Sequence, residues 1–279
     1  MKYGINAFLW TAAFQEKNLP LIPKVKAMGF DGIELTAFDF STFPAAKIRQ
    51  ELAANQLEAT FCTALTGTQN IGSDDAAIRN STIEFLKVGI QAAAEAGAQT
   101  IAGPFCSAVG WLPGRRRTED EWKRAVEGLA SLGPLLASCN IDMAIEPLNR
   151  FETFFLNTAA DAVKLCDEIN HPRIGILFDT FHSNIEEKSI SDGYRTVARH
   201  LKHVHTCEND RGTPGSGHVD WKGVFQALKD INYNGWQVIE TFGPSIPEIA
   251  AAACIWRDLA PTAESIATDG LKFLKESQA

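Results

Sequence analysis

The chain has 279 residues, of which 45% are hydrophobic and 22% are charged, a balance that is ordinary for a globular protein. A chain of this length buries roughly 75% of the surface that its unfolded form exposes, so it needs neither a disulfide nor a metal merely to fold. The formal net charge of −8 disfavours nonspecific binding to nucleic acid or anionic lipid, and apolar runs stay well short of the roughly 20 residues of a membrane span, so we expect neither partner.

Short apolar runs alternate with longer amphipathic segments from one end of the chain to the other. Eight runs predict strands: Tyr3–Trp10, Gly32–Thr36, Glu58–Thr63, Thr100–Gly103, Ile141–Glu146, Ile174–Asp179, Lys202–Thr206 and Trp236–Thr241. Helical periodicity lies between them, for example at Leu21–Met28, Asp74–Ala96, Glu119–Ser138, Ala159–Ile169 and Trp221–Lys229. Strands that alternate with helices indicate βαβ units and a parallel sheet.

Helix ends support the same division of the chain. Gly29 and Gly97 follow helical runs, where a left-handed cap favours glycine, and Thr118 with Glu121 fits a capping box. Eight strands in one chain favour a closed (β/α)8 TIM barrel, which typically takes about 250 residues, over an open doubly wound sheet. The GxGxxG turn of a dinucleotide-binding fold is missing after the first strand. We therefore predict an α/β protein whose residues 1–279 form a single TIM-barrel domain.

Residues with metal-ligand chemistry end strands five to eight. They are Glu146, Asp179, His205 and Glu240. Active sites of this fold lie at the carboxyl ends of the strands, where three carboxylates would repel one another without a cation. One such residue is more often a helix cap or a loop contact, but four on consecutive strands are hard to assign to caps alone. Oxygen-rich ligation with one imidazole suits Mn²⁺, Co²⁺ or Mg²⁺ better than a structural zinc ion.

Side-chain alternation gives a check on this prediction. If Glu146 points into the barrel, Ala144 does too, and Leu177 points inward with Asp179. Large apolar residues are then left facing the helices, as a barrel requires. His203 shares the inward direction of His205 but lies one layer deeper. We interpret His203 first as a hydrogen-bonded core histidine and second as a support for the site.

The segments around these residues resemble the D-tagatose 3-epimerase / D-psicose (allulose) 3-epimerase / L-ribulose 3-epimerase family, in the xylose-isomerase-like TIM-barrel superfamily. The matching stretches are Ile145–Glu152 (IEPLNRFE), Phe178–Glu187 (FDTFHSNIEE), His203–Glu208 (HVHTCE) and Val238–Glu240 (VIE). The likeness covers most of the chain and is strongest from about strand five onward. It implies an isomerase-class enzyme, a ketose 3-epimerase that uses one divalent metal ion, first Mn²⁺, with Co²⁺ and Mg²⁺ as alternatives.

The resemblance also implies roles for individual residues. The four strand-end residues would be the metal ligands, and Glu146 and Glu240 would double as the acid/base pair. Glu152, His182 and Arg211 would bind the oxygens of the sugar. Without the resemblance, Glu152 would be interpreted as a loop contact and Arg211 as a solvated turn residue in the sequence Asp-Arg-Gly.

Two regions depart from the family pattern. The first strand, at Ala7–Trp10, lacks the tyrosine-rich composition that we associate with the allulose enzymes, and the loop Phe105–Trp111 also differs. Both regions line the far end of the substrate pocket in the family. Phe8, Trp10 and Trp111 are therefore either pocket walls or packing at the end of the barrel.

These residue types suit a metal-assisted epimerisation. Epimerisation next to a carbonyl removes a weakly acidic proton, and a metal chelated by the ketone oxygen and the neighbouring hydroxyl stabilises the developing cis-enediolate. Inversion needs a proton from the opposite face, which two flanking carboxylates can supply. Rival functions are an aldose–ketose isomerase, an epimerase of an oxidised sugar, glycoside or cyclitol, and a metal-stabilised sugar-binding protein without turnover. An endonuclease would want more histidines and a basic groove.

The first residues and the cysteines indicate the cellular compartment. Met1–Gly4 already predicts a strand, so we expect no secretory leader, and the six scattered cysteines are typical of reduced thiols. We therefore expect a cytoplasmic protein. Its partners would be a small ketose and further copies of itself, in a homodimer or homotetramer.

Overall fold

Eight parallel strands close into a barrel in a computed structural model that describes residues 1–243 and 246–278. The strands are β1 Lys2–Asn6, β2 Gly32–Thr36, β3 Glu58–Cys62, β4 Thr100–Gly103, β5 Asp142–Ile145, β6 Ile174–Asp179, β7 Leu201–His205 and β8 Trp236–Ile239. Each strand pairs with the next in sequence, and β8 pairs with β1, where Lys2 lies opposite Trp236. The predicted (β/α)8 TIM barrel is confirmed.

Helices surround the barrel and follow the strands along the chain. They are α1 Leu21–Ala27, α2 Ala45–Asn55, α3 Ala76–Ala96, α4 Glu119–Ala130, α5 Gly133–Cys139, α6 Ala159–Ile169, α7 Thr180–Glu186, α8 Ile190–Val197, α9 Trp221–Asp230, α10 Pro247–Ala252 and α11 Ala263–Glu276. None of the helices in the described part of the chain has the length and apolarity to cross a bilayer. The single domain predicted for residues 1–279 also includes residues 244, 245 and 279, which lie outside the described residues.

The predicted helix ends are largely where the structure has them. Thr118 and Glu121 form the capping box of α4: the Thr118 hydroxyl accepts from the Glu121 amide at 3.2 Å, and the Glu121 carboxylate accepts from the Thr118 amide at 2.6 Å. Gly97 ends α3 with a φ of 89°, a conformation that costs glycine little. The single helix predicted over Glu119–Ser138 is wrong. It is two helices, because Pro134 lacks the amide hydrogen that a continuous helix needs.

The first strand is shorter than predicted. It ends at Asn6 rather than at Trp10, and Ala7–Leu9 forms a 3₁₀ turn. The Asn6 side chain causes this ending by accepting a hydrogen bond from the Phe8 amide at 2.8 Å, in the manner of a helix cap. The turn directs Phe8 across the carboxyl end of the barrel.

Two apolar layers confirm the predicted alternation. Ala102, Ala144 and Leu177 form a small buried cluster of their own. Met143 and Ile145, their neighbours in sequence, belong to the large core that the strands share with the helices. The inward residues are therefore small or medium in size, and the next inward positions along β5 and β6 carry the carboxylates of the site.

Candidate metal and substrate site

Four strand ends bring the predicted metal ligands together at the carboxyl face of the barrel. The ligands are Glu146, directly after β5; Asp179, the last residue of β6; His205, the last residue of β7; and Glu240, directly after β8. Each offers one ligand atom, and these atoms lie within 4.8 Å of one another. All four residues are at most 5% exposed. Three carboxylates in so small a buried space require compensating positive charge.

The unmet hydrogen-bonding atoms of this cluster fit a cation. Glu146 Oε1 and His205 Nδ1 are buried without a hydrogen-bond partner, and they lie 3.9 Å apart. His205 Nδ1 is also 3.5 Å from Glu240 Oε2. Two atoms that bind one ion at about 2.0–2.2 Å are separated by distances of this order. Since buried polar atoms are rarely left unsatisfied, these residues can hold one divalent metal ion.

The two proposed acid/base carboxyls differ in proton affinity. Burial, and then the charge of Glu240, raise the pKa of Glu146 well above its usual range. Burial acts in the same direction on Glu240, but His205 and Arg211 outweigh it, so the pKa of Glu240 is lowered. Neighbouring carboxyl groups whose environments move their pKa values apart are typical of acid/base pairs.

Arg211 lies inside the site. Its Nη1 atom is 2.7 Å from both Asp179 Oδ2 and Glu240 Oε2, and its Nη2 atom is 3.0 Å from His182 Nε2. The guanidinium carbon lies 3.9 Å from the ring centroid of Phe181. Arg211 is only 5% exposed and has a φ of 67°, so the solvated turn suggested by its local sequence is wrong. The side chain is held where it can donate to an oxygen bound beside the carboxylates.

Glu208 anchors the loop that carries Arg211. Its buried carboxylate accepts from the amides of Gly215 at 2.8 Å and Val219 at 3.0 Å, and from the Trp221 indole at 2.9 Å. Three donors to one carboxylate close the segment after β7 into a compact loop. No role for Glu208 was predicted from the sequence, although Glu208 falls within the matching stretch.

The other two predicted substrate residues lie beside this loop. The His182 ring accepts a hydrogen bond through Nδ1 from the Asn149 amide at 3.0 Å. Burial, and then the positive charge of Arg211, hold the pKa of His182 well below its usual range. The Asn149 side chain donates to Glu152 Oε1 at 2.7 Å, and burial raises the pKa of Glu152. Asn149, which the sequence analysis did not single out, therefore orients both.

Glu34 is the principal residue of the site that was not predicted from the sequence. It lies in the middle of β2, fully buried, and accepts from Asn6 Nδ2 and from Thr60 Oγ1, each at 2.9 Å. Its two oxygens lie 2.7 Å from His205 Nε2 and 2.9 Å from His203 Nε2. His203 is thus a buried partner of the carboxylate that orients His205. The sequence feature that could have identified Glu34 is an acidic residue at the centre of a short, otherwise uncharged strand.

Substitution of Glu34 tests this support. Glu34→Gln removes the charge that fixes the His205 ring with Nε2 protonated and Nδ1 free, so we expect metal affinity to fall about 10- to 100-fold. The affinity is measured by competitive titration with a metal-binding dye. Glu121→Gln is the matched control, since Glu121 is also buried but pairs with Arg115, away from the proposed ligands. A metal affinity of Glu34→Gln within twofold of wild type would show that Glu34 does not support the metal site.

A cavity of about 330 Å³ opens above the cluster, a volume suited to a small ligand. Its polar lining includes Glu146, Glu152, His182, Arg211 and Glu240. Phe8 also lines the cavity and is therefore a pocket wall, which is one of the two alternatives left open for that residue. Trp10 instead packs against the core and donates from its indole to Glu264 at 3.3 Å. Trp111 packs edge-on against Phe154 and lines a separate surface groove.

Comparisons with known proteins agree with this geometry. The family model described as xylose isomerase-like TIM barrel matches residues 22–277. A probable ketose 3-epimerase of Synechocystis sp. is 34% identical, covering 99% of this chain and 96% of its own length. The D-psicose 3-epimerase of Agrobacterium fabrum is also 34% identical, over 95% and 93% of the two chains. Among solved structures, the D-allulose 3-epimerase from Methylomonas sp. in complex with D-allulose has a TM-score of 0.94 at 28% identity, covering 99% and 97%.

Proposed function

The chain belongs to the xylose isomerase-like TIM-barrel family, among its ketose 3-epimerases, and on this premise we propose that it inverts C3 of a free ketose with the help of one divalent metal ion. The ketose is a ketohexose or ketopentose, such as tagatose, fructose, psicose or ribulose. The observation that carries the proposal is a pair of buried carboxyls, Glu146 and Glu240, that share one ligand cluster at the floor of a small cavity.

The side chains divide the proton transfers between them. Either Glu146 or Glu240 removes the C3 proton, and the other delivers a proton to the opposite face. Since β5 and β8 are separated by two strands in the barrel, the two carboxyls approach the cluster from different directions. A bound metal ion would polarise the ketone and stabilise the negative charge of the cis-enediolate.

The remaining residues of the site hold the ligand and the ion. Asp179 and His205 act mainly as metal ligands. Arg211 and His182 position the carbonyl and hydroxyl oxygens, and Glu152 fixes the other end of the sugar. The donor set of three carboxylates and one imidazole supports Mn²⁺ as the ion, with Co²⁺ or Mg²⁺ as substitutes.

We also propose that residues 1–279 form one domain and that the protein works in the cytoplasm as a homodimer or homotetramer. Large apolar side chains are exposed at Trp111, Leu112 and Phe151. An interface between copies of the chain would cover such side chains.

An aldose–ketose isomerase would use the same ligands but would move the carbonyl between C1 and C2. An epimerase of an oxidised glycoside or cyclitol would need a ligand other than a free ketose. The decisive experiment incubates the Mn²⁺-loaded enzyme with a panel of ketohexoses and ketopentoses and identifies the products by chromatography. We expect the C3 epimer. An aldose product would favour the isomerase, and sugar binding without any product would favour a binding protein.

A further inference from the structure

The guanidinium of Arg211 is held along its edge by polar groups. Nη1 lies 2.7 Å from a carboxylate oxygen of Asp179 and from one of Glu240, and Nη2 lies 3.0 Å from Nε2 of His182. The N–H donors of a guanidinium point outward in the plane of the group, so these contacts fix the direction in which it points. Hydrogen bonds tolerate moderate bending, and contacts along one edge therefore oppose a tilt of the plane only weakly.

An aromatic ring covers the face of this guanidinium. The guanidinium carbon of Arg211 lies 3.9 Å from the ring centroid of Phe181 and 4.9 Å from that of Phe242. A cation within about 6 Å of an aromatic face is attracted to it, most strongly when both groups are out of water. Arg211 is buried, and a planar guanidinium can stack on a ring. Phe181 therefore restricts the tilt that the edge contacts permit.

The start of α7 fixes Phe181 against Arg211. Asp179 caps this helix with Oδ1, which accepts from the Phe181 amide at 2.8 Å, while Oδ2 of the same carboxylate contacts Arg211. The ring of His182 is nearly perpendicular to that of Phe181, with centroids 5.2 Å apart. One helical turn thus supplies a carboxylate, an aromatic face and an imidazole to a single guanidinium.

The orientation of Arg211 matters to the proposed reaction. Arg211 lines the cavity together with Glu146 and Glu240, where its donors would bind the carbonyl and hydroxyl oxygens of the ketose. A hydrogen bond weakens steeply when the angle at the hydrogen falls below about 120°, so a tilted guanidinium donates poorly. The carbonyl oxygen gains negative charge as the enediolate forms, and the loss is therefore greatest in the transition state.

We propose that Phe181 is a positioning residue for ketose epimerisation, which acts by holding the plane of the Arg211 guanidinium toward the bound sugar. This inference rests on the proposed ketose 3-epimerase function and adds to it a residue that had no role. Among the described residues, the lining of the cavity includes Arg211 but not Phe181. Phe181 therefore acts through Arg211 and not by contact with the sugar.

The first test separates the aromatic face from the bulk of the side chain. Phe181→Leu removes the face, and Phe181→Tyr keeps it. With the Mn²⁺-loaded enzyme and the ketose that the wild type epimerises fastest, kcat/KM should fall about tenfold or more in Phe181→Leu and stay within about threefold of wild type in Phe181→Tyr. Phe85→Leu is the matched control, because it removes a half-buried ring that packs on Phe40 from α3, and it should keep the wild-type value.

A double-mutant cycle shows whether the effect passes through Arg211. The guanidinium is absent from Arg211→Met, so the addition of Phe181→Leu to that variant should lower kcat/KM by less than about twofold. The slow reaction is followed at high enzyme concentration, with metal occupancy and melting temperature measured in each variant. If Phe181→Leu does not fold, Phe181→Met takes its place, since methionine adapts to irregular space in a core.

Three results would overturn the inference while the 3-epimerase function stands. They are a Phe181→Leu enzyme within about twofold of wild type, an equal loss in the leucine and tyrosine variants, and an undiminished loss in the Arg211→Met background. The last result would mean that the ring supports the fold or His182 instead of the guanidinium. Wild-type protein that epimerises no ketose of the panel would reject the function itself.

Discussion

Glu146→Gln and Glu240→Gln should each lower kcat for ketose epimerisation by about 10³-fold or more. General acid/base groups typically contribute 10²- to 10⁴-fold, and each substitution also weakens a proposed metal ligand. The rate is measured by product chromatography at saturating Mn²⁺. Glu127→Gln, on the exposed surface of α4, is the control and should keep the wild-type rate.

The two variants should also differ from each other. Each retains one carboxylate, so one variant should still exchange the C3 proton of a given epimer without inverting it, and the other should do so for the opposite epimer. Metal occupancy is measured first, because both residues are proposed ligands. A variant that keeps more than about a tenth of the wild-type rate with full occupancy would exclude that glutamate from proton transfer.

Chelation should abolish activity, and added Mn²⁺ or Co²⁺ should restore it. Asp179→Asn and His205→Ala should each reduce metal affinity by at least about 100-fold, since each removes or weakens one of the four proposed metal ligands. Asp179 also caps α7 by accepting from the Phe181 amide at 2.8 Å, and asparagine caps a helix about as well as aspartate. The loss in Asp179→Asn is therefore not caused by removal of the α7 cap.

The matched control for Asp179→Asn is Asp75→Asn. Asp75 caps α3 in the same manner, by accepting from the Ala77 amide at 2.7 Å, and should leave metal affinity unchanged. Circular dichroism should find the stripped protein folded, because a core of this size is self-sufficient. Full activity in a metal-free preparation would contradict the metal-dependent mechanism, and an unfolded stripped protein would make the ion structural.

The barrel and its metal cluster follow from local patterns in the sequence. Each strand from β5 to β8 carries its ligand at or directly after its last residue, and alternation alone predicts which neighbours point inward, as Ala144 and Leu177 do. Closure of the sheet then brings the four ligands together. The roles proposed for Glu152, His182 and Arg211 depended on the family resemblance, because their local sequence predicts only loop or helix positions.

Contacts between distant parts of the chain explain what the patterns could not predict. Glu34 and His205 are 171 residues apart and meet at 2.7 Å only because closure of the barrel brings β2 near β7, three strands away around the sheet. The early end of β1 depends on one hydrogen bond that the Asn6 side chain accepts from the Phe8 amide, and a period-2 pattern does not contain this bond. The pair Gly133-Pro134 could have indicated a break between α4 and α5, but the apolar periodicity continues across that break.

The most direct test of C3 epimerisation is the position of deuterium in the product after the wild-type, metal-loaded enzyme has acted on a ketose in heavy water. Since the second carboxylate delivers a proton that exchanges with solvent, we expect deuterium at C3 of the epimer and at no other carbon. An aldose product with proton movement between C1 and C2, and with C3 unlabelled, would contradict the proposed function and identify an aldose–ketose isomerase.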